Sequence, residues 1–176
     1  MLVQYQRNMG IAYMEKNKLD SALNYAQAAA QTIERYKRPI FQLQILYLLG
    51  AINAKMNEND LADVYFNKAL ILADSTKSEI VKMRFYERYI PFLFKNNRMA
   101  EAEVQVEKFW TLSGKTQKFN FKLIATGYKK DLFDKLNNTD SAYYYSKAIE
   151  FLGVIALLIV FEFLNLLLNT ESFATL

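Results

Sequence analysis

The side chains best suited to acid–base chemistry in this sequence are paired carboxylates. Glu101 and Glu103 stand two residues apart. Asp131 and Asp134 stand three apart, which puts them on one face of a helix. A catalytic site needs more than such a pair: a nucleophile, an oxyanion donor or a phosphate cradle must stand beside it. The 176 residues contain neither His nor Cys. That removes Ser-His-Asp triads, thiol nucleophiles, disulfides and zinc sites of the Cys/His kind. No glycine-rich phosphate loop is written among the 5 glycines. Solvated helix faces account for the carboxylates. The reading is a non-enzyme with no cofactor, no metal and no small-molecule substrate.

Charge is equally uninstructive about chemistry. There are 22 basic and 18 acidic residues, a net charge of +4. The basic groups are scattered, at Lys37-Arg38, at Lys115 and Lys118, and at Lys129-Lys130. A nucleic-acid footprint would gather them on one face, so no nucleic-acid partner is expected. Without cysteine the redox compartment stays open. Met1-Leu2-Val3 runs straight into polar Gln4-Tyr5-Gln6-Arg7 with no secretory signal, and the chain reads as beginning inside a helix, like a fragment or a protein lacking upstream repeats.

What the sequence does repeat is a turn. Asn17, Asn57, Asn97 and Asn137 are each 40 residues apart, and so are Ala22, Ala62, Ala102 and Ala142. A period of that size marks a repeat architecture. Only 5 Gly and 2 Pro interrupt the chain, so the repeating unit is helical. Tyr5, Met9, Ala12 and Tyr13 recur at helical spacing over 4–16; Asp20 reads as an N-cap; Ala22, Leu23, Ala26, Ala29 and Ile33 form a second stripe; Pro39 closes the unit. The second unit sets Ile45, Leu48, Leu49 and Ile52 against Ala62, Phe66, Ala69 and Leu70. The third sets Phe85, Tyr89, Phe92 and Leu93 against Ala102, Val106 and Phe109. The fourth sets Ile124, Tyr128, Leu132 and Phe133 against Ala142, Tyr145 and Ile149. Asn suits a left-handed turn position, and the alanine suits the point where paired helices cross most closely. Pro91, inside the third unit's first helix, is expected to kink it.

Gly10 and Tyr13 with Ala22 and Ala29, and Leu49-Gly50 with Ala62, Phe66 and Ala69, stand where tetratricopeptide repeats place their small and large packing residues. The chain resembles that family over about residues 4–153, in units 4–39, 43–76, 83–114 and 121–153. Ile90 and Lys130 replace the glycine in the last two units, and the period exceeds the family's 34 residues. Other paired-helix solenoids also suit a period of 40. The expected fold is therefore an all-α solenoid of about four antiparallel helix pairs. The resemblance implies a concave groove lined by the first helix of each pair, at Arg7, Ile11, Met14, Tyr47, Ala51, Lys55, Glu87 and Phe94. It also implies a protein or peptide partner there.

After the repeats comes an apolar run, residues 151–168, followed by a polar tail, 169–176. It continues the fourth unit's second helix without a break and has no polar face from Phe151 to Phe161. A helix apolar on every side is deeply buried or in a membrane, and 18 residues approach the minimum for a span. Glu162 and Asn165 oppose insertion; a charge near the bilayer centre costs about 2.5–3.5 kcal/mol. The many Leu and Ile residues, at roughly −0.3 to −0.6 kcal/mol each, offset it. A single-pass anchor is the expectation, with a soluble, cytoplasmic chain whose tail caps the repeats or dimerises as the alternative. Lys135 and Lys147 before the run and Glu171 after it would put the repeats in the cytoplasm. Bacterial membrane-anchored sensors, which this arrangement resembles, often hold their tetratricopeptide-like repeats in the periplasm. That resemblance implies a second function: the sensory input domain of a truncated signal transducer, a histidine kinase or a transcriptional regulator.

Overall fold

The computed structural model describes residues 1–36, 38–116 and 118–173, with side chains described up to residue 162. Asn165, Glu171 and the end of the polar tail therefore lie outside the described side chains. The described residues form helices only: α1 (Leu2–Glu15), α2 (Leu19–Glu34), α3 (Pro39–Lys55), α4 (Asn59–Ser75), α5 (Glu79–Lys95), α6 (Met99–Lys115), α7 (Phe119–Lys135) and α8 (Thr139–Phe173). They make four helix pairs, as the 40-residue period predicts. The chain divides into two compact units, Met1–Lys115 with α1 to α6 and Thr116–Leu176 with α7 and α8.

Each pair is closed by the same turn. Asn17, Asn57, Asn97 and Asn137 have φ of 56°, 64°, 56° and 55°, and among the described residues no others have positive φ. The amides of Lys18, Glu58, Arg98 and Asn138 donate to Tyr13, Asn53, Leu93 and Phe133 carbonyls, at 2.9–3.0 Å. One residue earlier, each asparagine amide donates to the carbonyl three residues back. This pair of bonds satisfies the last carbonyls of the first helix and needs a left-handed residue at its centre. Asparagine tolerates that conformation where a β-branched residue would strain. The next helix begins at once: the amides of Ala22, Ala62, Ala102 and Ala142 donate to the carbonyls of residues 18, 58, 98 and 138. Thus the repeated Asn and Ala are the two ends of one hydrogen-bonded turn. Asp20 is not the N-cap the sequence suggested. The helix starts earlier, with Lys18 as cap, and Asp20 lies in its first turn, where its charge meets the positive end of the helix dipole. In the fourth turn a side chain caps: Asn138 Oδ1 accepts from the Ser141 amide at 3.1 Å.

Within the first unit every helix packs on the next, and α3 also touches α1 and α5. The first helices therefore stand side by side, with the second helices in a layer behind them. α3 and α5 lie at the centre and bury the most. Leu43, Leu48 and Ile52 of α3 and Met83, Phe85 and Ile90 of α5 are at most 1 % exposed. The four repeated alanines are 0–5 % exposed. Close crossing is managed differently in each pair. A Cβ on Gly10 would come within 3.3 Å of the Ala22 carbonyl. A Cβ on Gly50 would sit 2.9 Å from the Phe66 ring. Forty residues on, Ile90 and Val106 are both fully buried. The volume lost at the glycine is returned across the pair, consistent with a core packed to near-crystalline density.

Several expected stripe residues sit elsewhere. Tyr5 and Ala12 are exposed, and Gly10 and Met14 face the core instead. Within the first unit α1 packs on α2 and α3; beside it Tyr25 stacks on Tyr13 at 5.4 Å and meets Tyr5 edge-on at 6.5 Å. In α7 the buried line runs through Phe121, Ala125, Lys129 and Leu132, leaving Ile124, Tyr128 and Phe133 half-buried. Pro39 opens α3 rather than closing the unit before it; a proline in the first turn has no amide to waste. Helix α5 runs unbroken through Pro91.

In the second unit α7 packs on α8. Helix α8 has 35 residues, about 52 Å of continuous rod. The Ala142 end packs as a repeat helix does. Farther on, Phe151 is 67 %, Leu157 71 % and Phe161 60 % exposed.

Candidate binding face and candidate membrane helix

The first helices of the first unit converge on a cleft of about 400 Å³, lined by α1, α3 and α5. Its walls include Met14, Ala51, Lys55 and Glu87 from the expected groove, joined by Arg88, Pro91 and Lys95. Arg7, Ile11, Tyr47 and Phe94 are not among its lining residues. Burial differs sharply within the expected set. Met14 is fully buried; Tyr47, Ala51 and Phe94 are 8–9 % exposed; Arg7, Ile11 and Glu87 are half-buried; Lys55 is exposed. Of the expected members that line the cleft, buried Met14 and Ala51 thus form the floor, and Lys55 and Glu87 form the rim.

Ion pairs organise that rim. Arg88 reaches Glu15 of α1 at 3.1 Å, and Arg84 reaches Glu87 at 2.8 Å. Arg7 donates to Gln44. Tyr47 lies among these charges. Its burial pushes the phenol above its usual range, while Arg7, Arg88 and Arg84 pull the other way. Two lysines at the ends of their helices bind the unit before. Lys95 Nζ donates to the Ala54 carbonyl at 3.3 Å and to Asn57 Oδ1 at 2.7 Å. Lys55 Nζ sits 3.5 Å from the Met14 carbonyl. Each ammonium lies at the negative end of a neighbouring helix dipole. Sequence reading named Lys55 for the groove but passed over Lys95, although Lys55, Lys95 and Lys135 keep the 40-residue interval.

Pro91 has a local consequence. It carries no amide, so α5 makes no hydrogen bond from residue 91 back to the Glu87 carbonyl. Both residues line the cleft, and Pro91 is exposed.

One member of each carboxylate pair is held by a cation. Arg98 holds Glu101 through bonds of 2.6 and 2.7 Å and also bonds Asp63. The Arg98 guanidinium keeps the Glu101 carboxyl below the usual range. Lys130 pairs with Asp134. Among the described residues, no three acidic side chains gather as metal ligands would.

In the second unit, α8 is long and apolar enough to cross a bilayer. Its stretch Thr139–Glu162 reaches a mean hydropathy of 1.7 over 18 residues, none of them buried. Glu162 is exposed.

No protein-family model matches the chain, and no curated protein matches it in sequence.

Proposed function

We propose that this chain is a non-catalytic scaffold, tethered to a membrane by α8, that binds a protein or peptide partner on the face of α1, α3 and α5. The observation that carries the reading is the cleft on that face, with an apolar floor and a charged rim. Peptide grooves on helical repeats are built that way. The repeats are taken as tetratricopeptide-like; the tight approach of Gly10 to α2 and of Gly50 to Phe66 supports this.

A photo-reactive side chain at Lys55, on the rim, tests the groove. Partner cross-links should form there and not from exposed Ile71, which lies on the second helix of its pair. Charge reversal at Lys55 and Arg88 should weaken capture at least tenfold, with helicity unchanged. Equal cross-linking from Ile71 would remove the groove. Tyr47 and Phe94 are poor positions for this test because their burial makes them part of the core.

The anchor is tested by carbonate extraction of membranes carrying the full chain or a chain ending at residue 150. Retention of the first and release of the second are expected. Release of both would make the chain soluble.

A second reading, an input domain for a membrane signal transducer, draws support from the unbroken course of α8 from the last repeat turn into the apolar run. A signalling segment encoded downstream in the same gene would favour it.

A further inference from the structure

The polar residues of the apolar run are not scattered around α8. Between residues 151 and 169 they are Glu162, Asn165 and Asn169. These fall with Ala148, Phe151, Ile155 and Leu158 into one series, spaced alternately by three and four residues. In a run apolar on every side the polar residues alone single out this series, which has the spacing along which helices of like repeat pair. Over its described part the seam is uncovered: Phe151 is 67 % and Leu158 58 % exposed, Ile155 is half-exposed, and Glu162 is exposed. Asn165 and Asn169 are placed on it by sequence and by the unbroken helix alone.

We propose that α8 pairs in the membrane with α8 of a second copy of this chain, in parallel, along the seam of Phe151, Ile155, Leu158 and Glu162. The proposal rests on the membrane reading above. A carboxyl group inside a bilayer needs a polar partner at its own depth. Copies inserted in one direction bring identical residues to identical depth. Each Glu162 then meets the other copy's Glu162, and a protonated carboxyl of one donates to a carboxyl oxygen of the other. The three–four spacing that a partner must match is present in the same helix. A polar pair on an otherwise apolar seam also fixes register.

The chain has no cysteine, so single cysteines report on one contact each. The full chain, in phosphatidylcholine vesicles, would carry Leu158→Cys on the seam or Leu157→Cys off it, and be treated with a mild oxidant. Disulfide dimers should form at Leu158→Cys at least ten times faster than at Leu157→Cys. Independently, Glu162→Leu should weaken association about tenfold in energy-transfer dilution experiments, as loss of an interhelical hydrogen bond does. Glu162→Gln should keep most of it. Equal rates at both cysteines, no dimer at Leu158→Cys, or unchanged association of Glu162→Leu each overturn the pairing. Carbonate extraction of the same vesicles separates the two ideas. A chain that is released overturns the anchor itself. A chain that stays but does not cross-link on the seam overturns only the pairing and leaves the seam to a different membrane protein.

Discussion

Helix α3 and the later part of α8 are built from the same kinds of residue and meet opposite fates. Both are apolar nearly all round. In α3, nine residues including Leu48, Leu49, Gly50 and Ile52 are buried, because α1, α2, α4 and α5 surround it. In α8, which within the second unit packs on α7, Phe151, Leu157 and Phe161 stay mostly exposed. Apolar composition therefore says that a helix must be covered; the neighbours it has decide by what. A protein core covers α3, and a bilayer suits α8.

The same substitution should separate the two. Leu48→Ala is expected to destabilise the first unit by about 2–5 kcal/mol, as large-to-small changes in a core do. Leu157→Ala should change the unfolding free energy by less than about 0.5 kcal/mol. Chemical unfolding in detergent measures both, and similar losses would erase the contrast. Glycines sharpen it further. Gly50→Ala pushes a methyl against Phe66 and should cost about 1–3 kcal/mol. Gly127→Ala in α7, where nothing lies within 4 Å, should gain about 0.5–1 kcal/mol through helix propensity. At the turns, Asn17→Val should cost about 1–2 kcal/mol because φ is 56°, whereas Asn17→Gly should be near neutral. The smallest effect concerns alkali. Burial raises the Tyr86 phenol to about 12. The unfolded chain ionises this group near its ordinary value, so stability present at neutral pH should fall as pH climbs from about 10 toward 12. Tyr86→Phe should flatten that fall in a pH series of unfolding midpoints.

The sequence was most readable where the backbone demanded a particular residue. The four asparagines were legible because few side chains accept positive φ, and the four alanines because two helices meet behind them. The stripes of α3 and α5 were legible because those helices are enclosed, so most apolar positions are buried whatever register is assumed. The outer helices were harder. α1 buries only Gly10 and Met14, and a narrow contact cannot be picked out from Tyr5, Met9, Ala12 and Tyr13 by spacing alone. Asp20 misled because an acidic residue in a first turn and one at a cap look alike in sequence; a separation of two positions distinguishes them. For the groove, spacing named residues of the right helices but not their depth. Met14 and Phe94 point into packed surroundings, while Arg88 and Lys95 reach the rim from neighbouring positions. That depends on helix rotation, which a 40-residue period does not encode.

The continuity of α8 turns residue count into angle. From Thr139 to Phe173 there is no joint at which a twist would dissipate. Each residue added between the last repeat turn and the apolar run would rotate everything beyond it by about 100° and advance it about 1.5 Å. The helix thus has the geometry of an indexed shaft, whose length sets an angle as much as a reach.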